Sequence, residues 1–300
     1  MKNVLITGHR GLVGSALLEE FDGVAYEPRI NNTENFTNFL IEKEIETVVH
    51  AAGKVGGLTN NISNKIDFYL LNSYLNNIVF ESCLNANVKN LVNFSSTCVF
   101  PADAKYPLTE NQIHKGEPHW TNDAYAYAKR MMQKLCEYAR AKGCNYFTVI
   151  PTNVYGEGDN YTLESCHVIP ALIHKCYLSK MNNEDFIVGG SGEPLREFIY
   201  AKDLAKITKR LIDGNFDQES VIVSSSDEIS IKECANTIHR LMGCESKIVF
   251  DKNFPDGQYR KPTDTSRLKK YLGNFEFTSF EVGLESTINW FKNNYETLRK

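Results

Sequence analysis

An apolar run, Val4-Leu5-Ile6-Thr7, enters the turn Gly8-His9-Arg10-Gly11-Leu12-Val13-Gly14, and the turn opens into an amphipathic stretch, LVGSALLEEF. This order reads as strand, glycine-rich turn and helix. The spacing Gly-x-x-Gly-x-x-Gly is a close variant of the dinucleotide fingerprint. Glycines there let the turn close tightly and let the backbone approach a pyrophosphate at the helix N-terminus. A merely structural turn is the rival reading, and the position between a strand and a helix weighs against it. About twenty residues on, Gly23-Val24-Ala25-Tyr26 reads as a second strand, followed by Glu27-Pro28-Arg29. An acidic residue here suits a ribose 2′-hydroxyl, whereas an arginine suits a 2′-phosphate. Both types are present. Arg10 adds a positive charge in the first turn, so Arg10 and Arg29 incline the reading to NADPH.

The alternation continues. Asn35 to Lys43 suits a helix, and Thr47 to Ala52 (TVVHAA) a buried strand ending in Gly53-Lys54-Val55-Gly56-Gly57. Asn64 to Leu84 reads as a long helix and Asn90 to Ser96 as the next strand. A helix around Tyr125 follows, then the strand Tyr146 to Pro151, which ends in Pro151-Thr152-Asn153-Val154-Tyr155-Gly156. Strands alternating with helices imply a parallel sheet covered on both faces, with ligands beyond the carboxyl ends of the strands. The polar and glycine-rich clusters all fall at such ends. We therefore expect an α/β fold whose N-terminal Rossmann-type, doubly wound parallel sheet spans 1–156 and is joined by parts of 198–225. After Gly156 the pattern loosens into a smaller C-terminal mixed α/β lobe, 157–300. Its expected elements are helices at 167–178, 202–211, 231–242 and 284–294, strands at 221–224 and 247–250, and loops at 189–194 and 254–261. A ligand cleft should lie between the lobes.

Composition narrows the function classes. The net charge is −4 with no basic run, which disfavours nucleic acid or an anionic membrane surface. No apolar run approaches the ~20 residues of a membrane span, and the N-terminus lacks a signal-peptide profile. The eight cysteines are scattered, without Cys-x-x-Cys or zinc-like spacing. They read as reduced thiols of a cytoplasmic protein, and no metal site is expected.

The segment AYAYAKRMMQKLCEYARAKG carries Tyr125 and Lys129 one helical turn apart, so both side chains leave one face. A phenol beside an ammonium is a proton donor of lowered pKa. Tyr138 and Lys142 repeat the spacing about 140° round the helix, so both pairs cannot face one site. Each pair alone could be a partly buried tyrosine with a solvated lysine.

Taken together, Gly8-x-x-Gly11-x-x-Gly14, Ser96 at the end of the fourth strand and Tyr125-x-x-x-Lys129 resemble the extended short-chain dehydrogenase/reductases. GHRGLVGS, AAGKVGG, SSTCVFP, YAYAK, PTNVYG, CHVIPAL, GSGEPLREFIY and the PDG before Arg260-Lys261 are similar, in order and spacing, to the GDP-L-fucose synthase family. The resemblance runs from about residue 3 to beyond 290. It implies NADPH-dependent reduction of the C4 ketone of a GDP-linked 4-keto sugar, preceded in the family by epimerisation at C3 and C5. On that resemblance Tyr125 protonates the developing alkoxide, Lys129 holds the nicotinamide ribose and depresses the tyrosine pKa, and Ser96 donates to the same oxygen. The epimerisation acid and base fall on Cys98 and His167. Gly8, His9, Arg10, Gly11, Leu12, Val13, Gly14, Arg29, Lys129, Pro151, Asn153, Val154 and His167 fall in the cofactor-binding segments. Taken alone, Cys98 reads equally as a small buried hydrophobe and His167 as a satisfied helix-end residue.

Lys54, Val55, Lys175, Arg196, Asp256, Arg260 and Lys261 are the candidates for nucleotide-sugar contacts, with surface charge the plain alternative for any one of them. His50 suits a structural hydrogen-bonding role, and Asn72 suits either the cleft or a solvated helix face. Gly189 stands where family members commonly carry a tryptophan, which predicts extra room near the sugar and a substrate such as a heptose, or reduction alone. A non-catalytic NADP(H)-binding regulator, and a dehydratase or 4-epimerase that returns its hydride, are the other readings. The family also implies a homodimer through the two long helices.

Overall fold

The computed structural model of the protein describes residues 3–26, 29–254 and 256–298. Glu27, half of the expected ribose-discriminating pair, lies outside the described residues. In chain order the first half comprises β1 (Val4–Thr7), α1 (Leu12–Phe21), β2 (Val24–Ala25), α2 (Thr33–Glu42) and β3 (Thr47–His50). α3 (Leu58–Ser63), α4 (Lys65–Asn85), β4 (Asn90–Phe94), α5 (Asp123–Arg140) and β5 (Asn145–Pro151) complete it. The second half holds β6 (Asn153–Tyr155), α6 (Val168–Asn182), β7 (Phe186–Gly189), β8 (Leu195–Tyr200), α7 (Ala201–Asp213) and β9 (Ser220–Val223). It ends in β10 (Glu228–Ser230), α8 (Ile231–Met242), β11 (Ile248–Asp251), α9 (Ser266–Leu272) and α10 (Phe280–Asn294).

Six strands form one parallel sheet in the order β2-β1-β3-β4-β5-β9. Chain direction across the sheet reverses between β1 and β3, the switch point at which ligands of such sheets bind. Strand alternation sends Val4 and Ile6 to one core, with Leu17 of α1 and Leu204, Ile207 and Leu211 of α7. It sends Leu5 to the other, with Phe36 of α2, Ile78 and Val79 of α4 and Met132 of α5. The sheet is therefore buried on both faces, as its continuous apolar strands predict.

β9 enters this sheet from far along the chain, its register against β5 running from Thr148↔Ser220 to Pro151↔Val223. Two smaller sheets, β10-β8-β6 and β11-β7, pack with α6, α8 and α10 around a separate core that includes Phe186, Phe198, Ile238 and Phe291. The buried carboxylate of Glu197 on β8 joins the parts. It accepts from Ser224 Oγ at 2.8 Å, beyond β9, and from the Thr263 N–H at 3.0 Å and Oγ1 at 2.6 Å.

Several elements differ from expectation in extent. The second strand shrinks to two residues, and the third stops at His50 because Ala51 to Gly57 turn out of the sheet. The helix beginning after His167 runs to Asn182 and ends on the left-handed Asn183, φ +56°, a signal carried by one residue type that also occurs freely in turns. Pro170 sits in its first turn, where the missing N–H has no intrahelical partner to lose.

Candidate active site

The turn between β1 and α1 is a cradle only glycine can make. Gly8 has φ +73°, and a Cβ there would stand 2.7 Å from Ala52 Cα. A Cβ on Gly14 would stand 2.0 Å from the Gly8 carbonyl oxygen, so the helix could not approach the turn. The Gly11 N–H donates to that same oxygen at 2.9 Å and closes the turn. α1 starts at Gly11 with no side-chain cap among the described residues, which suits first-turn amides to an anion such as a dinucleotide pyrophosphate. His9 is half-buried in the turn, Leu12 and Val13 pack into the core behind it, and Arg10 and Arg29 are exposed. Pro151 is buried at the end of β5, while Asn153 donates from Nδ2 to the Glu197 carbonyl at 2.8 Å. The Asn153 amide thus ties β6 to β8, and Val154 packs on the main core. Beyond β6 the chain returns to α1, where a Cβ on Gly158 would lie 3.3 Å from Ser15 Oγ.

Tyr125 and Lys129 share one face of α5, and Lys129 Nζ lies 5.8 Å from the centre of the Tyr125 ring. Lys129 is almost fully buried, and desolvation lowers its pKa to about 8. The Tyr125 pKa moves upward, chiefly through burial and then through the nearby Cys98 thiol. The expected depression by Lys129 is therefore corrected. The ammonium lies beside the ring, and loss of solvent around the phenol sets the direction of the shift. Tyr125 remains a proton carrier across the neutral range. Tyr138 and Lys142, the rival pair, are both exposed.

α5 is seated by a chain of buried polar groups at the switch point. Thr7 Oγ1 accepts from the Ala52 N–H at 3.3 Å and donates to His50 Nδ1 at 2.7 Å. His50 Nε2 then donates to Asn76 Oδ1 at 3.1 Å, and Asn76 Nδ2 donates to the Ala128 carbonyl at 3.1 Å. Donor and acceptor order along this chain defines the tautomer. Burial, with the Lys129 charge second, lowers the His50 pKa to about 3, so the ring is neutral as the chain requires. The structural role expected of His50 is thus given partners.

Ser96 begins a 3₁₀ turn, Thr97–Val99, at the end of β4, its Oγ accepting from the Cys98 N–H at 3.3 Å. Arg130 of α5 holds that turn, donating from Nε to the Val99 carbonyl at 2.7 Å and from Nη1 to Gly116 at 2.8 Å. One helix therefore positions Tyr125 and Lys129 and also the turn with Ser96 and Cys98. His167 precedes α6 with one side open to solvent, and desolvation of the rest lowers its pKa, leaving a neutral imidazole. Its loop is held against the start of α3: the Gly57 N–H donates to the Ser165 carbonyl at 2.9 Å. Asn72 is fully buried, contrary to the solvated alternative. Its Oδ1 accepts from the Lys54 N–H at 2.9 Å, and its Nδ2 donates to the carbonyls of Lys54 at 3.0 Å and Phe68 at 2.7 Å.

The candidates for substrate contact divide. Val55 is exposed, and Lys54 Nζ pairs with Asp67 at 3.1 Å. Lys175 is half-buried on α6, close enough to lower the Cys166 pKa against the larger effect of burial. Arg196 lies against the 256–260 loop, donating from Nη1 to Leu195 at 2.6 Å and Tyr259 at 3.5 Å; burial lowers its pKa. Asp256 accepts from the Ser191 N–H at 2.9 Å and Oγ at 2.6 Å, and Arg260 forms a two-point pair with Glu228. Asp256 and Arg260 thus anchor their loop, with Lys261 half-buried behind. Gly189 is exposed, and the room expected there is bounded on one side. A Cβ on Gly189 would meet the Phe254 ring at 3.3 Å, so an aromatic from the loop after β11 borders the position.

Phe254, Asn76 and Arg130 are the residues that sequence reasoning missed. Asn72 and Asn76 one turn apart on an otherwise apolar helix face were a readable signal of a buried polar seam. Arg130 and Phe254 carried none, because each acts across the fold on a segment distant in the chain.

A glycine cradle at the switch point, together with a half-buried tyrosine, a buried lysine and a serine just past a strand end, suits hydride transfer with general-acid assistance. The chain matches the model of the NAD dependent epimerase/dehydratase family over residues 4–223. A GDP-L-fucose synthase from Dictyostelium discoideum is 38% identical, the alignment covering 100% of this chain and 98% of that protein. The chain belongs to this family. Its GDP-L-fucose synthase relatives include one from Escherichia coli (strain K12), 34% identical over 99% of both chains. A crystal structure of a GDP-L-fucose synthetase from Naegleria fowleri bound to NADP superimposes with a TM-score of 0.90. It is 34% identical and covers 100% of this chain and 97% of that one.

Proposed function

We propose that the protein is an NADPH-dependent reductase of a GDP-linked 4-keto-6-deoxyhexose that also epimerises C3 and C5. The observation that carries this reading is the Tyr125–Lys129 pair on α5, clamped through Arg130 to the turn with Ser96 and Cys98. The Gly8-Gly11-Gly14 cradle, with α1 behind it, fits a dinucleotide, and Arg10 and Arg29 suit a 2′-phosphate. When bound, the reduced nicotinamide supplies the hydride that adds to C4. Tyr125 gives its proton to the C4 oxygen, and Ser96 donates a hydrogen bond to the same atom. Lys129 holds the nicotinamide ribose through its ammonium. Before reduction the C4 ketone acidifies the C–H bonds at C3 and C5. Cys98 and the neutral His167 remove and return those protons on opposite faces. Lys54, Val55, Lys175, Arg196 and Lys261 line the path of the sugar nucleotide.

Phe254 takes up part of the space beside Gly189, which favours the hexose over a larger sugar. The homologues named GDP-L-fucose synthase support the same choice. We also propose a cytoplasmic homodimer. α4 exposes Ile66 (74%), Leu70 (57%) and Tyr74 (57%) at successive four-residue steps, an apolar stripe suited to a two-fold helix pairing.

Incubation with GDP-4-keto-6-deoxymannose and NADPH in deuterated water tests the function. Expected are stoichiometric loss of NADPH absorbance and deuterium at C3 and C5 in the product NMR spectrum. Reduction without deuterium would remove the epimerase role, and Cys98→Ala should abolish exchange while leaving reduction of a pre-epimerised substrate within about threefold. Unchanged NADPH with every GDP-4-keto sugar would leave a non-catalytic dinucleotide binder.

A further inference from the structure

Two thiols outside the proposed site meet in the smaller lobe. Cys176, fully buried on α6, and Cys244, half-buried just after α8, have their Sγ atoms 3.2 Å apart. A disulfide needs about 2.05 Å, so small side-chain rotations bring them within bonding distance. The backbones are already pinned on both sides of the pair. Lys180 Nζ donates to the Met242 carbonyl at 2.8 Å, and Ser179 Oγ meets Ser246 Oγ at 2.8 Å. His239 Nε2 donates to the Ser246 carbonyl at 2.7 Å, and the Cys244 thiol points to the Cys176 carbonyl at 3.7 Å. Gly243, left-handed at φ +63°, turns the chain off α8 so that Cys244 faces α6.

We propose that Cys176 and Cys244 form a reversible oxidation site, in which a small hydroperoxide converts the two thiols into a disulfide that staples α6 to the connection between α8 and β11. The half-buried Cys244 is the sulfur an oxidant reaches. Its thiolate attacks one peroxide oxygen; the S–O bond forms, the O–O bond breaks, and the departing hydroxide takes a proton to become water. The sulfur of Cys176 then attacks the Cys244 sulfenic sulfur. The S–S bond forms, the S–O bond breaks, and the leaving hydroxide takes the Cys176 proton as a second water. The sulfur pair loses two electrons to the peroxide, so two thiols and hydrogen peroxide give one disulfide and two waters. Burial and the neighbouring thiol raise the Cys176 pKa, which makes it the resolving rather than the initiating partner. The covalent link would close a loop across 68 residues of sequence, constraining the unfolded chain. It would also fix α6, which follows His167, against the segment leading through β11 to Phe254 and Asp256. The inference stands independently of the proposed reaction.

The test treats the full chain with hydrogen peroxide, blocks remaining thiols, and maps peptides by mass spectrometry without reduction. A peptide linking Cys176 to Cys244 should form and vanish with dithiothreitol. Thermal unfolding should shift upward by roughly 5–10 °C and return on reduction. Cys244→Ser should show neither change under the same exposure. Cys176→Ala should instead accumulate a Cys244 sulfenic acid trapped by dimedone. Absence of the linked peptide from folded, peroxide-treated protein would overturn the proposal, as would an equal thermal shift in Cys244→Ser or no dimedone adduct in folded Cys176→Ala.

Discussion

Lys129 concentrates the conflict between stability and chemistry at a single side chain. Burial holds its pKa near 8 rather than the ordinary 10.5. Between those values the unfolded chain binds more protons than the folded one, so stability rises with pH through the window and the full penalty stands below it. Lys129→Met, which keeps the stem and removes the charge, should therefore stabilise the cofactor-free protein at pH 7 by ~1–3 kcal/mol in urea unfolding. The same protein should lose at least about a hundredfold in turnover. Wild-type turnover should fall above pH about 8 as the ammonium loses its proton. A plateau persisting to pH 10 would separate catalysis from the Lys129 charge. Tyr125, shifted upward, contributes no deprotonation in the neutral range.

At the scale of elements, α4 and α5 are held in register by a polar seam rather than by apolar packing alone. Asn76 stands in the middle, satisfying the neutral His50 on one side and the Ala128 carbonyl on the other. Asn76→Ala leaves the buried His50 Nε2–H without its acceptor and takes a second donor from the Ala128 carbonyl, which keeps its helical bond, a loss of about 1–3 kcal/mol on denaturant unfolding. The exposed neighbour Asn77 should tolerate alanine within about 0.5 kcal/mol. Equal effects at the two positions would show that the seam does not set the helix. Because Ala128 adjoins Lys129, Asn76→Ala should also disturb the Tyr125–Lys129 geometry and lower turnover more than it weakens dinucleotide binding.

For the whole molecule, the exposed stripe on α4 is the face on which the proposed second copy would sit. Leu70→Glu should convert the proposed dimer to a monomer in sedimentation analysis while leaving the circular dichroism spectrum unchanged. A wild-type protein that sediments as a monomer at micromolar concentration would sink the pairing. β6 and β8 of the smaller sheet and the segment after β9 of the main sheet meet at Glu197, whose side chain is buried. Thr263, just past the 256–261 segment, bonds the same carboxylate and so ties that segment to the sheet carrying the cradle.

The order of amino acids alone determined the alternating architecture, the glycine cradle and the placing of Tyr125 and Lys129 on one helix face. Those features rest on local periods, on glycine-only backbone geometry and on motif order, all written along the chain. The partnership of β9 with β5, the Arg130 clamp, the Phe254 ring beside Gly189 and the Cys176–Cys244 approach arise between segments far apart in sequence. Their physical determinants are distance and exclusion of water. The direction of the Tyr125 shift belongs with them, because spacing counts charges one turn away, whereas only the packed structure decides how much solvent each group keeps.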